Sequence, residues 1–375
     1  MSPDEVRSSR SKFMCERSTV MSQDSKLMFE GLPRAVGLLG GGVIGGGWAA
    51  RFLLNGVDVR LHGRSPATIE RVQKMLANAR RVYRRLTQVP LPAEGSLTVV
   101  NSVADAVRGV ELVQESVPDR LELKQQLLAA ASRAAAPGTL ICSSTSGLRP
   151  SLLQVGMDHP ERLLVAHPFN PVYLLPLVEL CAGQRTAPET VARAAEIYRS
   201  VGMHPLVVRK EVDGFIANRL QEAVWREALW LVHDDVATVQ EIDDAVRYSI
   251  GLRRAIMGPI QTFRIAIPET GARRSMELFG PALKLPRTKL TEVPEFTDAF
   301  LDKLGEQSDA QAENLTVSEL EQKRDDCLVA VLQGLRAQGY GAGETLARWE
   351  QRLRDLASPA HQGLRPAADD ATDTV

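Results

Sequence analysis

The hexapeptide Gly40-Gly41-Gly42-Val43-Ile44-Gly45 constrains the fold of this chain more than any other stretch. It fits G-x-G-x-x-G, follows a short apolar run from Arg34 to Leu39, and opens a helical pattern from Val43 to Asn55. A strand, a glycine turn and a helix in that order make the first βα turn of a dinucleotide-binding domain. The missing side chains at Gly40, Gly42 and Gly45 let backbone approach a pyrophosphate. Val43 and Ile44 start a helix whose free N–H groups and positive end favour that anion.

The pattern continues in kind. Apolar runs recur at Val57–His62, Leu97–Val100, Glu111–Gln114, Thr139–Cys142, Leu163–Ala166, Leu177–Cys181 and His204–Val208. Helical stretches such as Pro66–Leu86, Arg120–Ala134 and Pro188–Val201 fall between them. Short apolar runs alternating with helices predict a mostly parallel sheet covered on both faces. After Asp213 the patterns are helical only, beginning with a long amphipathic one over Phe215–Val236. The fold class is therefore α/β: a Rossmann-type doubly wound sheet with an all-helical C-terminal domain. The sequence predicts a disordered extension over 1–30, an NAD(P)-binding domain over 31–211, a helical substrate and dimerisation domain over 212–357, and a loose tail over 358–375.

Composition agrees and excludes some partners. At roughly 150 residues per domain, 375 residues suit two or three domains. With 45 basic against 46 acidic residues there is no basic surplus to hold nucleic acid or an anionic membrane. No apolar run reaches the roughly 18 residues of a membrane span. Four scattered cysteines, Cys15, Cys142, Cys181 and Cys327, suggest neither a disulfide framework nor a zinc site, which predicts a cytoplasmic protein without a metal.

Cofactor choice is read at the end of the second strand, about 20 residues past the glycines, where NAD sites carry Asp or Glu for the adenosine ribose. Here the chain reads His62-Gly63-Arg64-Ser65. Gly63 takes the acidic position, Arg64 offers a guanidinium to a 2′-phosphate, and Ser65 adds a donor. This favours NADP(H), with NAD(H) the alternative if Arg64 is only a solvated turn residue.

Ala166-His167-Pro168-Phe169-Asn170-Pro171 follows a predicted strand, and Glu179 lies twelve residues past His167 on the next. An imidazole oriented by a carboxylate takes the proton of an alcohol as its carbon gives up hydride. With the glycine loop, the Gln114–Lys124 stretch, Ser143-Ser144-Thr145-Ser146 and Gly214-Phe215-Ile216-Ala217-Asn218-Arg219-Leu220, the sequence resembles the 3-hydroxyacyl-CoA dehydrogenase superfamily. The resemblance implies that His167 is the acid/base and that Glu179 holds and polarises it. It implies that Ser146 and Asn218 position the substrate oxygen and the imidazole, and that Glu115 and Lys124 lie along the cofactor's path.

Later segments, Gly258–Ala266, Phe279–Lys284, Val293–Asp298 and Ser308–Ala312, look like the L-carnitine 3-dehydrogenase branch. That branch implies a homodimer that oxidises the 3-hydroxyl of a small free acid. Arg253-Arg254 and Leu285-Pro286-Arg287 stand where rings for a quaternary ammonium are expected, and the arginines suit an anionic, carboxylate substrate. The alternative is a cage elsewhere, at Trp225, Trp230 or Phe263. The expected function is an NAD(P)-dependent oxidoreductase of a small 3-hydroxy or 3-oxo acid, working as an NADPH-dependent reductase if Gly63-Arg64 sets the cofactor. A 3-hydroxyacyl-CoA dehydrogenase and a crystallin-like cofactor-binding structural protein remain alternatives.

Overall fold

The computed structural model describes residues 31–63, 65–260, 262, 288, 295, 297–311 and 315–358. The expected extension, Arg64, Phe263, Leu285, Arg287 and nearly all of the expected tail lie outside the described residues.

The first half alternates as the apolar runs predict: β1 (Ala35–Leu39), α1 (Val43–Leu54), β2 (Asp58–His62), α2 (Pro66–Leu86), β3 (Leu97–Val100), α3 (Val103–Val107), β4 (Leu112–Glu115), α4 (Leu121–Ala134) and β5 (Leu140–Ser143). After a short helix α5 (Pro150–Leu153) come β6 (Leu163–Pro168), β7 (Leu177–Ala182), α6 (Pro188–Ser200) and β8 (His204–Val208). The strands form one sheet in the order β3-β2-β1-β4-β5-β6-β7-β8. Every pairing is parallel except β6 with β7. β4 and β5 are buried along their whole length, as strands covered on both faces must be.

Local chemistry sets the helix positions. Ser65 caps α2 by accepting from Thr68 N at 3.2 Å, and Pro66 fills the first helical position, where no N–H is needed. Val72, Leu76, Ala79, Tyr83 and Leu86 then form a buried stripe at helical spacing. α1 is buried on all sides from Gly45 onward, and Gly47 admits the chain after β6: a Cβ there would stand 2.8 Å from Val172 Cβ.

A second compact unit runs from Gly214 to Glu344. Its described helices are α7 (Ala217–His233), α8 (Val239–Ala245), α9 (Gly251–Arg254), α10 (Asp298–Gln311) and α11 (Val317–Ala337), with a π-helical turn at Val246–Ile250. α7 ends at His233, whose Nδ1 pairs with Asp234 in an exposed helix end.

One boundary differs from the sequence reading, which gave all residues to 357 to the helical domain. The last helix, α12 (Ala342–Ala357), belongs from Thr345 onward to the first unit. There Trp349 Nε1 donates to Asn55 Oδ1 at 2.8 Å, Thr87 Oγ1 donates to Glu350 Oε1 at 2.7 Å, and Trp349 meets Tyr83 edge-on. The helical pattern fixes that α12 is amphipathic but not which surface its apolar stripe covers.

Candidate active site

The glycine loop lies at the C-terminal edge of the sheet, between β1 and α1. Gly40 adopts φ +103°, its N–H donates to His62 O at 3.0 Å, and a Cβ there would stand 2.8 Å from Ser116 O. A Cβ on Gly45 would lie 2.0 Å from Gly40 O, so only glycine lets α1 start this close to the turn. Gly42 differs: it caps α1 without a side-chain hydrogen bond, and a Cβ on it would meet nothing within 4 Å. The first turn of α1 carries no acidic residue, and Val43 is exposed with Ile44 behind it. Open space in front of an uncapped helix N-terminus fits the pyrophosphate of a nicotinamide dinucleotide.

Gly63 directly follows β2, and a Cβ on it would stand 3.0 Å from Thr68 Cγ2 and 3.5 Å from Gly41 N. The position where NAD sites carry an acid thus abuts the glycine loop and has no side chain. Ser65 is occupied as the α2 cap and also shares a 2.8 Å hydrogen bond with Thr68 Oγ1.

Glu115 and Lys124 were both expected along the cofactor's path, and both side chains are buried, at 0% and 1% exposure. Lys124 Nζ donates to Glu115 Oε1 at 2.7 Å and to Val117 O at 2.9 Å. Ser143 Oγ and Val117 N donate to the same carboxylate at 2.5 and 2.6 Å. The pair anchors the turn after β4 from behind, because a buried charge needs its partner and its hydrogen bonds at once. Lys124 also lies 3.2 Å from Asp119 Oδ1. Burial alone would raise the Asp119 pKa, but the Lys124 ammonium and hydrogen bonds from Thr145 and the Ser146 N–H hold it below the ordinary carboxylate range. Ser146 Oγ donates to that carboxylate at 3.1 Å, which places the exposed serine at the rim of the strand ends.

His167 and Glu179 come together as the spacing predicts. They face each other across the antiparallel β6–β7 step, with His167 Nδ1 and Glu179 Oε2 2.9 Å apart. Glu179 is fully buried, His167 is 6% exposed, and Phe169 packs edge-on against the imidazole at 4.8 Å. The connection between the two strands is pinned from α1. The Arg51 guanidinium, drawn below its usual pKa by burial, donates to Val172 O at 2.7 Å, Leu175 O at 3.1 Å and Val201 O at 2.8 Å. Asn218 lies in the first turn of α7 in the second unit, where its Nδ2 donates to Glu222 Oε1 at 3.0 Å.

Sequence reasoning passed over a polar group inside the sheet edge. Ser144 Oγ accepts from Gln114 Nε2 at 2.7 Å and Trp48 Nε1 at 3.1 Å and lies 2.9 Å from Ser116 Oγ. The available signal was a glutamine inside the apolar run Leu112-Val113-Gln114, where a buried amide needs partners. No group of His, Cys, Asp and Glu suited to hold a metal occurs among the described residues, and no described helix is long and apolar enough to cross a membrane.

Comparison with known proteins matches this architecture. The family model for the 3-hydroxyacyl-CoA dehydrogenase NAD binding domain covers residues 35–212, and the model for the C-terminal domain covers 214–295. An L-carnitine dehydrogenase/betainyl-CoA thioesterase of Rhizobium meliloti (strain 1021) is 50% identical over 87% of this chain, which spans 66% of that protein. An L-carnitine dehydrogenase of Mesorhizobium japonicum (strain LMG 29417 / CECT 9101 / MAFF 303099) is 49% identical over 85% of this chain and 89% of its own length. Among solved structures, a 5-formyl-3-hydroxy-2-methylpyridine 4-carboxylic acid 5-dehydrogenase, an NAD+-dependent dismutase, superposes with TM-score 0.67 at 30% identity, over 82% of this chain and 99% of its own.

Proposed function

The chain belongs to the 3-hydroxyacyl-CoA dehydrogenase family, and on that premise we propose that it oxidises or reduces the third carbon of a small 3-hydroxy or 3-oxo acid. The observation that carries the proposal is the buried His167–Glu179 pair. Glu179 accepts the Nδ1 proton and fixes the tautomer, so the exchange of a proton with the substrate oxygen falls to Nε2. When an alcohol loses its proton to Nε2, the imidazolium formed is stabilised by the carboxylate behind it. In the reverse direction that imidazolium protonates the carbonyl oxygen. A nicotinamide dinucleotide, when bound, supplies the hydride acceptor or donor. Ser146 and Asn218 are proposed to position the substrate oxygen and the imidazole.

The relatives named L-carnitine dehydrogenases make a carnitine-like 3-hydroxy acid the first substrate to try. NADP(H) is the proposed preference, supported by the absence of a carboxylate at Gly63 and by the arginine that follows it. The two buried free thiols, Cys142 and Cys181, suit a reducing cytoplasm. A homodimer through the helical unit is proposed on the exposed Leu220 and Trp225 of α7, and sedimentation velocity at micromolar protein tests it.

The deciding experiment is an absorbance assay of NADPH and NADH against free 3-oxo acids, L-carnitine and acetoacetyl-CoA. Turnover of free acids, faster with NADPH than NADH, is expected. Turnover of acetoacetyl-CoA alone would instead favour the acyl-thioester reading that the family match also supports. Binding of cofactor with no turnover of any substrate would leave the structural-protein alternative.

A further inference from the structure

We infer that Ser116, at the C-terminal end of β4, is a hydrogen-bond donor to an acceptor oxygen on the nicotinamide half of the cofactor. We further infer that the buried group behind Ser116 forces its proton outward. This inference rests on the dinucleotide reading above.

The argument is a count of hydrogens. Gln114 Nε2 donates to Ser144 Oγ at 2.7 Å and to Ala166 O at 3.3 Å. A carbonyl only accepts, so the contact with Ala166 fixes which end of the Gln114 amide is nitrogen. Its oxygen then accepts from the Tyr198 hydroxyl, and Tyr198 in turn shares a hydrogen bond with the Cys142 thiol. The Trp48 indole N–H, a donor with no acceptor capacity, also points to Ser144 Oγ. A hydroxyl has two acceptor sites and one proton. Both acceptor sites on Ser144 are taken, so its proton goes to Ser116 Oγ, 2.9 Å away. Ser116 therefore accepts from Ser144 and must place its own proton elsewhere. No acceptor for it occurs among the described residues.

The position of Ser116 identifies the receiver. It is partly buried, one residue past the end of β4, beside the glycine loop. A Cβ on Gly45 would stand 3.5 Å from Ser116 Cβ, and one on Gly40 2.8 Å from Ser116 O. β1 and β4 are neighbours at the point where the strand order reverses, and a dinucleotide crosses the strand ends there. A donor on the β4 side of the loop faces the half of the cofactor that runs toward His167 on β6. That half is the same in NADH and NADPH, so Ser116 contributes equally to both.

Cofactor fluorescence titrations and thermal melting on the full chain test this. Ser116→Ala is expected to weaken NADPH and NADH alike by about tenfold, the equivalent of one hydrogen bond to a partly charged ligand. Gln114→Glu keeps Ser116 but replaces the donating amide with an acceptor. Ser144 then donates inward, and Ser116 must donate to Ser144. The expected result is a similar loss of affinity with Ser116 still present, and no further loss in the double variant. Wild-type affinity in Ser116→Ala, or fully additive losses in the double variant with melting temperatures retained, would overturn the inference. Failure of the unaltered chain to bind either cofactor would instead overturn the dinucleotide reading beneath it.

Discussion

His167 and Glu179 are twelve residues apart in the chain and directly opposite each other in the sheet, 2.9 Å apart at Nδ1 and Oε2. The antiparallel turn between β6 and β7 brings an imidazole and a carboxylate onto the same rigid surface. His167→Ala is expected to lower kcat by about 10²–10⁴, the usual contribution of a positioned acid/base, and to leave cofactor affinity intact. Glu179→Gln should lower kcat by a smaller factor, because the amide still accepts from Nδ1 but no longer stabilises the imidazolium. The double variant should be no worse than His167→Ala. Steady-state rates and cofactor titrations check all three, and a fully additive double variant would mean that the pair does not work as a unit.

Gly63 controls cofactor choice if the absence of a carboxylate is the cause. Gly63→Asp combined with Arg64→Ala should shift preference toward NADH by about ten- to hundredfold, the equivalent of one or two charge-assisted hydrogen bonds. The new Cβ would press on Thr68 Cγ2 at 3.0 Å, so Thr68 must yield slightly. The ratio of the two dissociation constants is the readout, and an unchanged ratio would remove Gly63 from the argument.

Lys124→Met should act on stability before it acts on binding. It leaves the Glu115 carboxylate buried without its cation, a loss of about 3–5 kcal/mol for pairs of this kind. Denaturant unfolding measures it. A cofactor-affinity loss with unchanged unfolding would show that Lys124 contacts the cofactor after all.

Asp119 gives a pH dependence with a definite sign. Its carboxyl is held below the ordinary range in the folded chain, so its stabilising contribution is complete above that range and disappears as pH falls through the native value. Asp119→Asn should therefore melt lower than the parent chain at neutral pH, and the two curves should converge at strongly acidic pH. A constant difference across pH would assign the effect to shape and not to charge.

The thiols should separate by reactivity. Burial pushes Cys142 up to about 12 and Cys181 up to about 11, whereas Cys327 is exposed. Maleimide labelling of the native protein at pH 7.5, mapped by mass spectrometry, should modify Cys327 and spare Cys142 and Cys181 until denaturant is added. Early modification of Cys142 would contradict its place in β5.

The sequence made the alternation of strands and helices in the first domain and the His–Glu pair readable for physical reasons. Leu163–Ala166 is apolar on both faces, and Leu112–Glu115 and Leu140–Ser143 are buried along their whole length, as strands covered on both faces of a sheet must be. The spacing from His167 to Glu179 fits two adjacent strands with a short connection. The less legible features depend on contacts between distant segments. Nothing near Arg51 in the chain signals that its guanidinium binds the carbonyls of Val172, Leu175 and Val201. Glu115 and Lys124 look like surface charges at the edge of a site until the burial of both is known. Ser144 sits in a run of hydroxyl residues that reads as a loop, and only Trp48 and Gln114 single it out.

The return of α12 to the first unit changes how the chain must mature. Trp349 reaches Asn55 across 294 residues, so the nucleotide-binding half is closed by a segment made long after the residues it covers. The helical unit is thus an insertion, tethered at both ends to its host. A fragment ending at Asp213 would leave the α2 side that α12 covers, around Tyr83 and Thr87, open to water. In the growing chain that surface has to wait uncovered until α12 has been made.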